Sequence, residues 1–217
     1  KALINRLGFN NEGMEFLIER LEKRKSSGLL GVNLGKNKDT LLDHADEDYL
    51  KGLIGTHSWA DYFCINVSSP NTEDLRQLQE GDQLSNLLDR ICNQRAKLDQ
   101  KSGKKTPLLI KLAPDWNNEA FEQSVERIKG FPLDGIIATN TTTSRNGLTS
   151  SLRQEAGGLS GKPLFSKSNK MISRLYRELG STTPIIGVGG IFNAEDALQK
   201  IKAGATAVQI YTGLIYH

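Results

Sequence analysis

Short apolar runs alternate with longer amphipathic stretches along this chain, and that alternation restricts its possible folds more than any other feature. Strands that alternate with helices pair in parallel through right-handed crossovers, so we predict an α/β fold. The apolar runs that we predict as strands cover residues 29–34, 62–67, 108–112, 135–139, 185–188 and 207–211. The clearest helix faces, at the expected spacing, are Leu84, Leu87, Leu88 and Ile91; Phe121, Val125 and Ile128; and Ala197, Leu198 and Ile201.

Each predicted strand ends in a polar residue or a glycine. Because the carboxyl ends of parallel strands meet at one edge of the sheet, these ends are expected to form one rim, as at the top face of a β/α barrel. Ligands bind at that edge in parallel α/β proteins. The rim residues are Asn33, Asn66, Lys111, Thr139, Asn140, Thr141, Thr142, Gly189, Gly190, Tyr211 and Thr212.

Residues 66–72 form the most polar of these strand ends. Pro70 stops the preceding strand, and two asparagines, two serines and a threonine share the turn. Amides both donate and accept hydrogen bonds, so paired asparagines suit a flat ring with alternating N–H and C=O groups. The alternative is a turn without chemistry, since asparagine, serine and proline are common turn residues.

Two glycine-rich segments indicate a phosphate site. Gly189 and Gly190 precede a helix that is predicted to start near Asn193, where backbone N–H groups favour an anion. The connection 141–165 shows no clear periodicity, which predicts a functional loop, and its segment 158–161 would add donors. Phosphate in β/α barrels often binds after strands seven and eight, which would leave two strands missing before Asn33. A glycine pair is equally compatible with a plain turn.

Lys111 lies between Ile110 and Leu112 in a predicted buried strand, so an exposed surface lysine is the less favoured interpretation. A fixed cation there would stabilise negative charge on a bound group. Asp115, which follows Pro114, is most simply the cap of the next helix.

Composition excludes several classes of function. The 217 residues suffice for one domain, 1–217, and the net charge of +3 without aromatic residues on a basic face argues against nucleic-acid binding. Cys64 and Cys92 lack metal-ligand spacing, so we predict no metal site, a reducing compartment and a core position for Cys64. No run approaches the roughly 18 apolar residues of a membrane span. The chain starts at Lys1 rather than at methionine, so we expect its native N-terminus to lie outside it.

Six collinear motifs, which together extend over nearly the whole chain, resemble the dihydroorotate dehydrogenase family. They are Asn5-Arg6-Leu7-Gly8-Phe9-Asn10, residues 31–38, residues 66–72, Thr139-Asn140-Thr141-Thr142, residues 157–163 and residues 185–190.

The resemblance implies a (β/α)8 TIM barrel that binds FMN, with about six of its eight strands in this chain. It implies oxidation of (S)-dihydroorotate to orotate in de novo pyrimidine (UMP) biosynthesis. Class 1 members use a cysteine as catalytic base and class 2 members a serine; Ser69 occupies that position here. Class 2 implies a quinone acceptor and peripheral membrane association, at the cytoplasmic face of a bacterial inner membrane or alternatively at the mitochondrial inner membrane. It leaves the oligomeric state open.

The resemblance also assigns individual residues. Ser69 would remove the C5 proton of the substrate while hydride leaves C6, and Thr72 would relay the proton through water. Substrate contacts are implied for Asn5, Arg6, Leu7, Gly8, Phe9, Asn66, Asn71, Asn140 and Thr141. Cofactor contacts are implied for Asn33, Asn66, Lys111, Thr139, Ser160, Gly161, Gly189, Gly190, Tyr211 and Thr212.

The chain departs from the family pattern at both ends. The family's first two strands, the helix after Thr212 and the N-terminal segment that meets membrane and quinone are expected to lie outside it, and six strands cannot close the barrel. Two alternatives remain open. One is another FMN-dependent barrel oxidoreductase, although a hydroxy-acid oxidase would need a strand-tip histidine and His44, His57 and His217 are not so placed. The other is a non-catalytic barrel fragment.

Overall fold

The computed structural model describes residues 1–216, so His217 lies outside the described residues. The strands are β1 Ala2–Asn5, β2 Gly31–Leu34, β3 Tyr62–Asn66, β4 Leu108–Leu112, β5 Gly135–Ala138, β6 Gly158–Gly161, β7 Ile185–Val188 and β8 Ala207–Gln209. The α-helices are α1 Met14–Glu22, α2 Ala45–Thr56, α3 Gly81–Ser102, α4 Asn118–Lys129, α5 Phe165–Leu179, α6 Ala194–Lys202 and α7 Thr212–Ile215.

Six strands form one parallel sheet in the order β2-β3-β4-β5-β7-β8. Neighbouring strands are in register, for example Val32 opposite Phe63 and Ile65 opposite Ile110. The α/β class and all six predicted strands are confirmed, although four of them are one to two residues shorter at an end than predicted. Within the described residues β2 and β8 do not pair with each other, so the sheet stays open.

The prediction for the connection 141–165 was wrong in one respect, because this segment contains strand β6. β6 pairs antiparallel with β1, with Ala2 opposite Gly161 and Asn5 opposite Gly158. The Ser160 hydroxyl donates to the Leu3 carbonyl at 3.2 Å. Apolar periodicity could not reveal the strand because its sequence is Gly-Leu-Ser-Gly, and it depends on a partner that lies about 150 residues away in the chain.

The main core lies between the parallel sheet and helices α2 to α5. The predicted faces of α3 and α4 are buried, as is Cys64. The prediction for α6 was wrong: Leu198 and Ile201 are each 44% exposed, while Asp196 and Lys200 are buried. A smaller cluster of Cys64, Leu109, Ile137 and Val188 lies on the other face of the sheet, since side chains alternate along a strand.

Three further predictions need correction or addition. Helices α1, α2 and α5 were not among the helix faces identified in the sequence, and a short helix, α7, begins at Thr212, where none was expected within the chain. The side chain that caps α4 is Asn117, which accepts from the Ala120 amide at 2.8 Å, rather than Asp115. Among the helices of residues 1–216, none combines the length and the apolar character needed to cross a bilayer.

Candidate active site

The rim of the parallel sheet surrounds a cavity of about 360 Å³. This volume lies in the range of small-molecule sites. Residues from β1, β6, the loop 6–10 and the ends of all six parallel strands line it. All of the predicted site residues except Arg6 and Thr72 line the cavity: Asn5, Leu7, Gly8, Phe9, Asn33, Asn66, Ser69, Asn71, Lys111, Thr139, Asn140, Thr141, Ser160, Gly161, Gly189, Gly190, Tyr211 and Thr212.

Ser69 lies in the loop after β3 and is 7% exposed. Its Oγ accepts a hydrogen bond from the Asn71 amide at 3.2 Å. Asn71 in turn donates through Nδ2 to the carbonyl and to the side-chain Oδ1 of Asn5, at 3.0 and 3.1 Å. These bonds fix the serine loop to the end of β1, where the Ser69 side chain is itself largely buried.

Two asparagines that the sequence separates by 74 residues meet at the floor of the cavity. Asn140 Nδ2 donates to Asn66 Oδ1 at 3.2 Å and to Ser68 Oγ at 2.9 Å, and Ser68 Oγ donates to the same Asn66 oxygen at 2.9 Å. The Thr141 amide donates to Asn140 Oδ1 at 2.8 Å. The bonds fix the orientation of both amides, and the Asn66 Nδ2 group makes no hydrogen bond within residues 1–216.

Lys111 is a buried cation without an acidic partner in the described part of the chain. It is 8% exposed, and its ammonium lies 5.0 Å from the centre of the Tyr211 ring. Burial lowers the pKa of Lys111, and this is opposed by the nearby Cys64 thiol. Because an unpaired buried charge is costly, the site suits a bound group that carries negative charge.

The opposite end of the cavity is built from glycines and hydroxyls. Gly190 has φ +76°, and a Cβ added there would lie 2.6 Å from Phe165 Cβ. Thr212 Oγ1 donates to Ser160 Oγ at 2.8 Å. The following helix, α6, begins near Asn193 as predicted. Close backbone and a helix start suit a phosphate group.

Three buried polar atoms around the site have no hydrogen-bond partner within residues 1–216: Thr72 Oγ1, Thr139 Oγ1 and Gln209 Oε1. Thr139 and Gln209 line the cavity. Buried polar groups are normally paired, so these atoms are positioned to bond to a ligand or to water. Thr72 lies buried outside the lining, which fits an indirect role better than direct contact with a ligand.

Arg6 points away from the cavity. Its guanidinium pairs with Glu155 at 2.8 Å and donates to the Ala156 carbonyl at 3.0 Å. This ion pair ties the loop 6–10 to the segment before β6. Phe9, which lines the cavity from that loop, has φ +59°, a left-handed conformation that is strained for a bulky side chain.

Asp115 forms a network beside the cavity instead of capping a helix. Burial by itself would raise its pKa, but hydrogen bonds from Lys167, Thr142, Thr143 and Arg76 lower it to about 2. The carboxylate is therefore ionised at neutral pH. No local sequence pattern could reveal this network, because its members come from four separate segments.

Sequence reasoning missed nine lining residues: Leu3, Asn10, Leu164, Val188, Ile191, Gln209, Ile210, Gly213 and Ile215. Gln209 could have been found, because it precedes Tyr211 by two residues and alternate residues of a strand share a face. Leu3 could not, because β1 itself was not predicted. Among residues 1–216 no cluster of three or more histidine, cysteine or acidic residues is placed to hold a metal ion.

The fold and the site together define a β/α-barrel protein with a ligand cavity at the carboxyl ends of its parallel strands. The family model for dihydroorotate dehydrogenase matches residues 1–217. The chain therefore belongs to the dihydroorotate dehydrogenase family.

Curated relatives share close to half of their residues with this chain. The dihydroorotate dehydrogenase (quinone) of Marinobacter nauticus is 49% identical over 217 residues, which is 100% of this chain and 64% of the relative. The protein of the same name from Neisseria meningitidis serogroup C is 48% identical over 100% of this chain and 65% of the relative. The chain thus spans slightly under two thirds of the length of these relatives.

Solved structures agree with the family assignment. DHODH from Eimeria tenella in complex with ferulenol superposes with a TM-score of 0.92 at 38% identity, over 99% of this chain and 62% of that one. The ligand-free type gives 0.91 at 40% identity, over 99% and 65%. The prediction of a TIM-barrel fold that is only partly contained in this chain is confirmed.

Proposed function

We propose that the protein oxidises (S)-dihydroorotate to orotate with bound FMN and passes the electrons to a quinone, as a step of de novo pyrimidine (UMP) biosynthesis. The observation that carries this proposal is the convergence, in one cavity, of Ser69, a set of asparagine amides and the unpaired cation Lys111. Family membership and relatives named dihydroorotate dehydrogenase (quinone) support the same reaction.

The residues of the chain fit an FMN cofactor. We propose that Asn33, Asn66, Lys111 and Thr139 contact its ring and ribityl chain. Within residues 1–216, Thr139 Oγ1 has no hydrogen-bond partner and Lys111 has no acidic partner. Its phosphate would bind at the glycine end of the cavity, against Ser160, Gly161, Gly189, Gly190, Tyr211 and Thr212. When bound, FMN supplies the two-electron acceptor that takes the hydride from C6 of the substrate.

The substrate ring would lie among Asn5, Asn66, Asn71 and Asn140, with Thr141 beside them and Gly8 and Phe9 covering it. Asn66 Nδ2 is available to donate, while the bonds among Asn66, Ser68 and Asn140 hold the amides in one orientation. A pre-oriented set of amides binds a planar ring with alternating donors and acceptors at little entropic cost.

Ser69 would take the C5 proton, so that a double bond forms between C5 and C6 as the hydride leaves C6. A serine hydroxyl is a weak base in water, and it needs a shielded site and a route for its proton. Burial of Ser69 meets the first requirement. We propose that Thr72, three residues along the loop, supplies the second through water, since its buried hydroxyl has no hydrogen-bond partner within residues 1–216.

We place the protein at the cytoplasmic face of a bacterial inner membrane as a peripheral protein that reaches the quinone through a segment outside this chain, with the mitochondrial inner membrane as the alternative. We treat residues 1–217 as one FMN-binding β/α barrel domain. The bacterial origin of the curated relatives supports the first location.

The test is flavin reduction by (S)-dihydroorotate without oxygen, followed by flavin absorbance in the natural full-length protein. Removing a general base costs about 10²- to 10⁴-fold, so Ser69→Ala should slow bleaching by that amount while flavin stays bound. Ser102→Ala, at the exposed end of α3, is the matched control and should react normally.

Other outcomes of this test would favour the alternative functions. A protein that binds flavin but ignores dihydroorotate would be another FMN-dependent barrel oxidoreductase. A colourless full-length protein would be a non-catalytic barrel. Reoxidation of the reduced protein by a quinone but not by NAD⁺ or fumarate tests the acceptor separately.

A further inference from the structure

Behind the cavity wall, the Arg76 guanidinium joins three segments that carry proposed site residues. Nε donates to the Ser68 carbonyl at 3.2 Å, Nη2 donates to the Thr141 carbonyl at 2.8 Å, and Nη1 pairs with Asp115 Oδ2 at 3.0 Å. The side chain is 24% exposed and does not line the cavity. Its planar fork satisfies all three acceptors at once, which a lysine ammonium cannot do with the same geometry.

Two of the acceptors of Arg76 belong to residues that are adjacent in the chain to proposed site residues. Ser68 directly precedes Ser69, and Thr141 directly follows Asn140. Arg76 therefore connects the backbone of the serine loop to the backbone of a loop that we propose holds the substrate. Apart from Arg76, side chains of Asn66, Ser68 and Asn140 join the two loops, and of these Asn66 and Asn140 line the cavity itself.

Asp115 anchors this connection to the rest of the fold. One carboxylate oxygen accepts from Thr142 Oγ1 and Lys167 Nζ, and the other accepts from the Thr143 amide at 2.9 Å as well as from Arg76. It thereby holds the loop after β5 and helix α5 against the guanidinium. The carboxylate is 15% exposed, so water competes weakly for these bonds.

We propose that Arg76, held by Asp115, is a positioning residue that fixes the distance between the Ser69 hydroxyl and the substrate carbon from which it takes the proton. This inference rests on the proposed function. Proton transfer is sensitive to such distances, because a misplacement of about 1 Å can cost roughly 100-fold in rate.

The test uses the natural full-length protein with FMN bound and compares Arg76→Ala with Arg76→Lys. We expect the limiting rate of flavin reduction in Arg76→Ala to fall about 100-fold. Orotate affinity, measured from its perturbation of the flavin spectrum, should change far less because the amides of the site remain. Millimolar guanidinium should restore part of the rate in Arg76→Ala, since it can occupy the vacated position.

Arg76→Lys keeps the charge and should regain only part of the rate, which also covers the case in which the alanine variant fails to fold. Arg127→Ala is the matched control, because within residues 1–216 the Arg127 guanidinium donates only to the Gln123 carbonyl, one turn earlier on α4. It should show a normal rate and no response to guanidinium.

A normal limiting rate in either Arg76 variant, or a loss that follows flavin occupancy and melting temperature without guanidinium rescue, would overturn the positioning role alone. A wild-type protein that is not reduced by dihydroorotate would overturn the proposed function, and the inference with it. The wild-type reaction therefore separates the two failures.

Discussion

The two ends of the parallel sheet differ in whether a buried positive charge has an acidic partner. At the amino-terminal end Arg95, 7% exposed, lies 3.5 Å from both Asp99 and Asp134 and donates to the Pro132 carbonyl at 3.1 Å. At the carboxyl end Lys111 is about equally buried, yet within residues 1–216 its ammonium has no ion-pair partner and lies 5.0 Å from the centre of the Tyr211 ring and near the Cys64 thiol.

This difference separates structure from function. A buried charge that is paired within the chain has a structural role, because its removal leaves the charge of its partner buried without that counter-charge. Charge that is left unpaired reduces stability unless a ligand completes it, which is typical of sites that are preorganised for binding. Thr139 Oγ1 and Gln209 Oε1, also unpaired at the carboxyl end, show the same pattern for neutral groups.

The largest expected effect is at the amino-terminal end. Arg95→Met should lower the free energy of unfolding by about 3 kcal/mol, because Asp99 and Asp134 lose the cation that they share. Asp99 then keeps only His57, and Asp134 only Lys105, as an ion-pair partner within residues 1–216. Urea unfolding of the full-length protein measures this loss of stability. Lys23→Met is the control, since Lys23 pairs with Glu19 at an exposed surface, and such pairs contribute about 0–1 kcal/mol. Equal losses in the two variants would contradict the comparison.

Lys111→Met should affect the reaction rather than the stability, the reverse of what we expect for Arg95→Met. We expect the flavin-free protein to be at least as stable as wild type, because an unpaired buried ammonium is removed. Flavin reduction should slow by about 10²- to 10³-fold, the usual effect of removing one preorganised electrostatic group. Unfolding and stopped-flow reduction are measured on the same preparation, and a destabilisation as large as that of Arg95→Met would show that Lys111 is structural.

Gly190→Ala tests the glycine end of the cavity. The positive φ costs about 1–3 kcal/mol for alanine, and the new Cβ would also meet Phe165. FMN affinity, measured by fluorescence titration, should fall by about tenfold or more, since 1.4 kcal/mol corresponds to a factor of ten. Gly180→Ala has a similar φ of +72° with open space around it. The Gly180→Ala variant should lose stability but keep its FMN affinity. If its FMN affinity fell as much as that of Gly190→Ala, the assignment of the glycine end as the FMN phosphate site would be wrong.

Thr72→Val is expected to have the smallest effect. Flavin reduction should slow by less than about 100-fold, because Ser69 remains and only the proton route is impaired. FMN affinity should not change. In the control Thr56→Val the lost hydroxyl is one that already donates to the Gly52 carbonyl at 2.7 Å, so stability falls but the rate does not. An unaltered rate in Thr72→Val would exclude the relay.

Much of the architecture could be predicted because it rests on local pattern. The six parallel strands follow from apolar runs, and the buried faces of α3 and α4 follow from helical spacing. Strand ends then placed Asn33, Asn66, Lys111 and Thr139 at one rim without any knowledge of distances. The face of α6 was wrong because Leu198 and Ile201 have the spacing of a buried face but no covering layer within the described residues.

The sequence by itself determined the class of fold, the edge at which ligands bind and the residue types gathered there, because each of these depends on periodicity and on strand ends. Only the tertiary structure decided that β1 pairs with β6, that Arg6 points outward and that Arg76 and Asp115 join the loops behind the cavity. Those contacts link residues that are far apart in the chain, often through backbone carbonyls that every residue carries. No local pattern can therefore specify them.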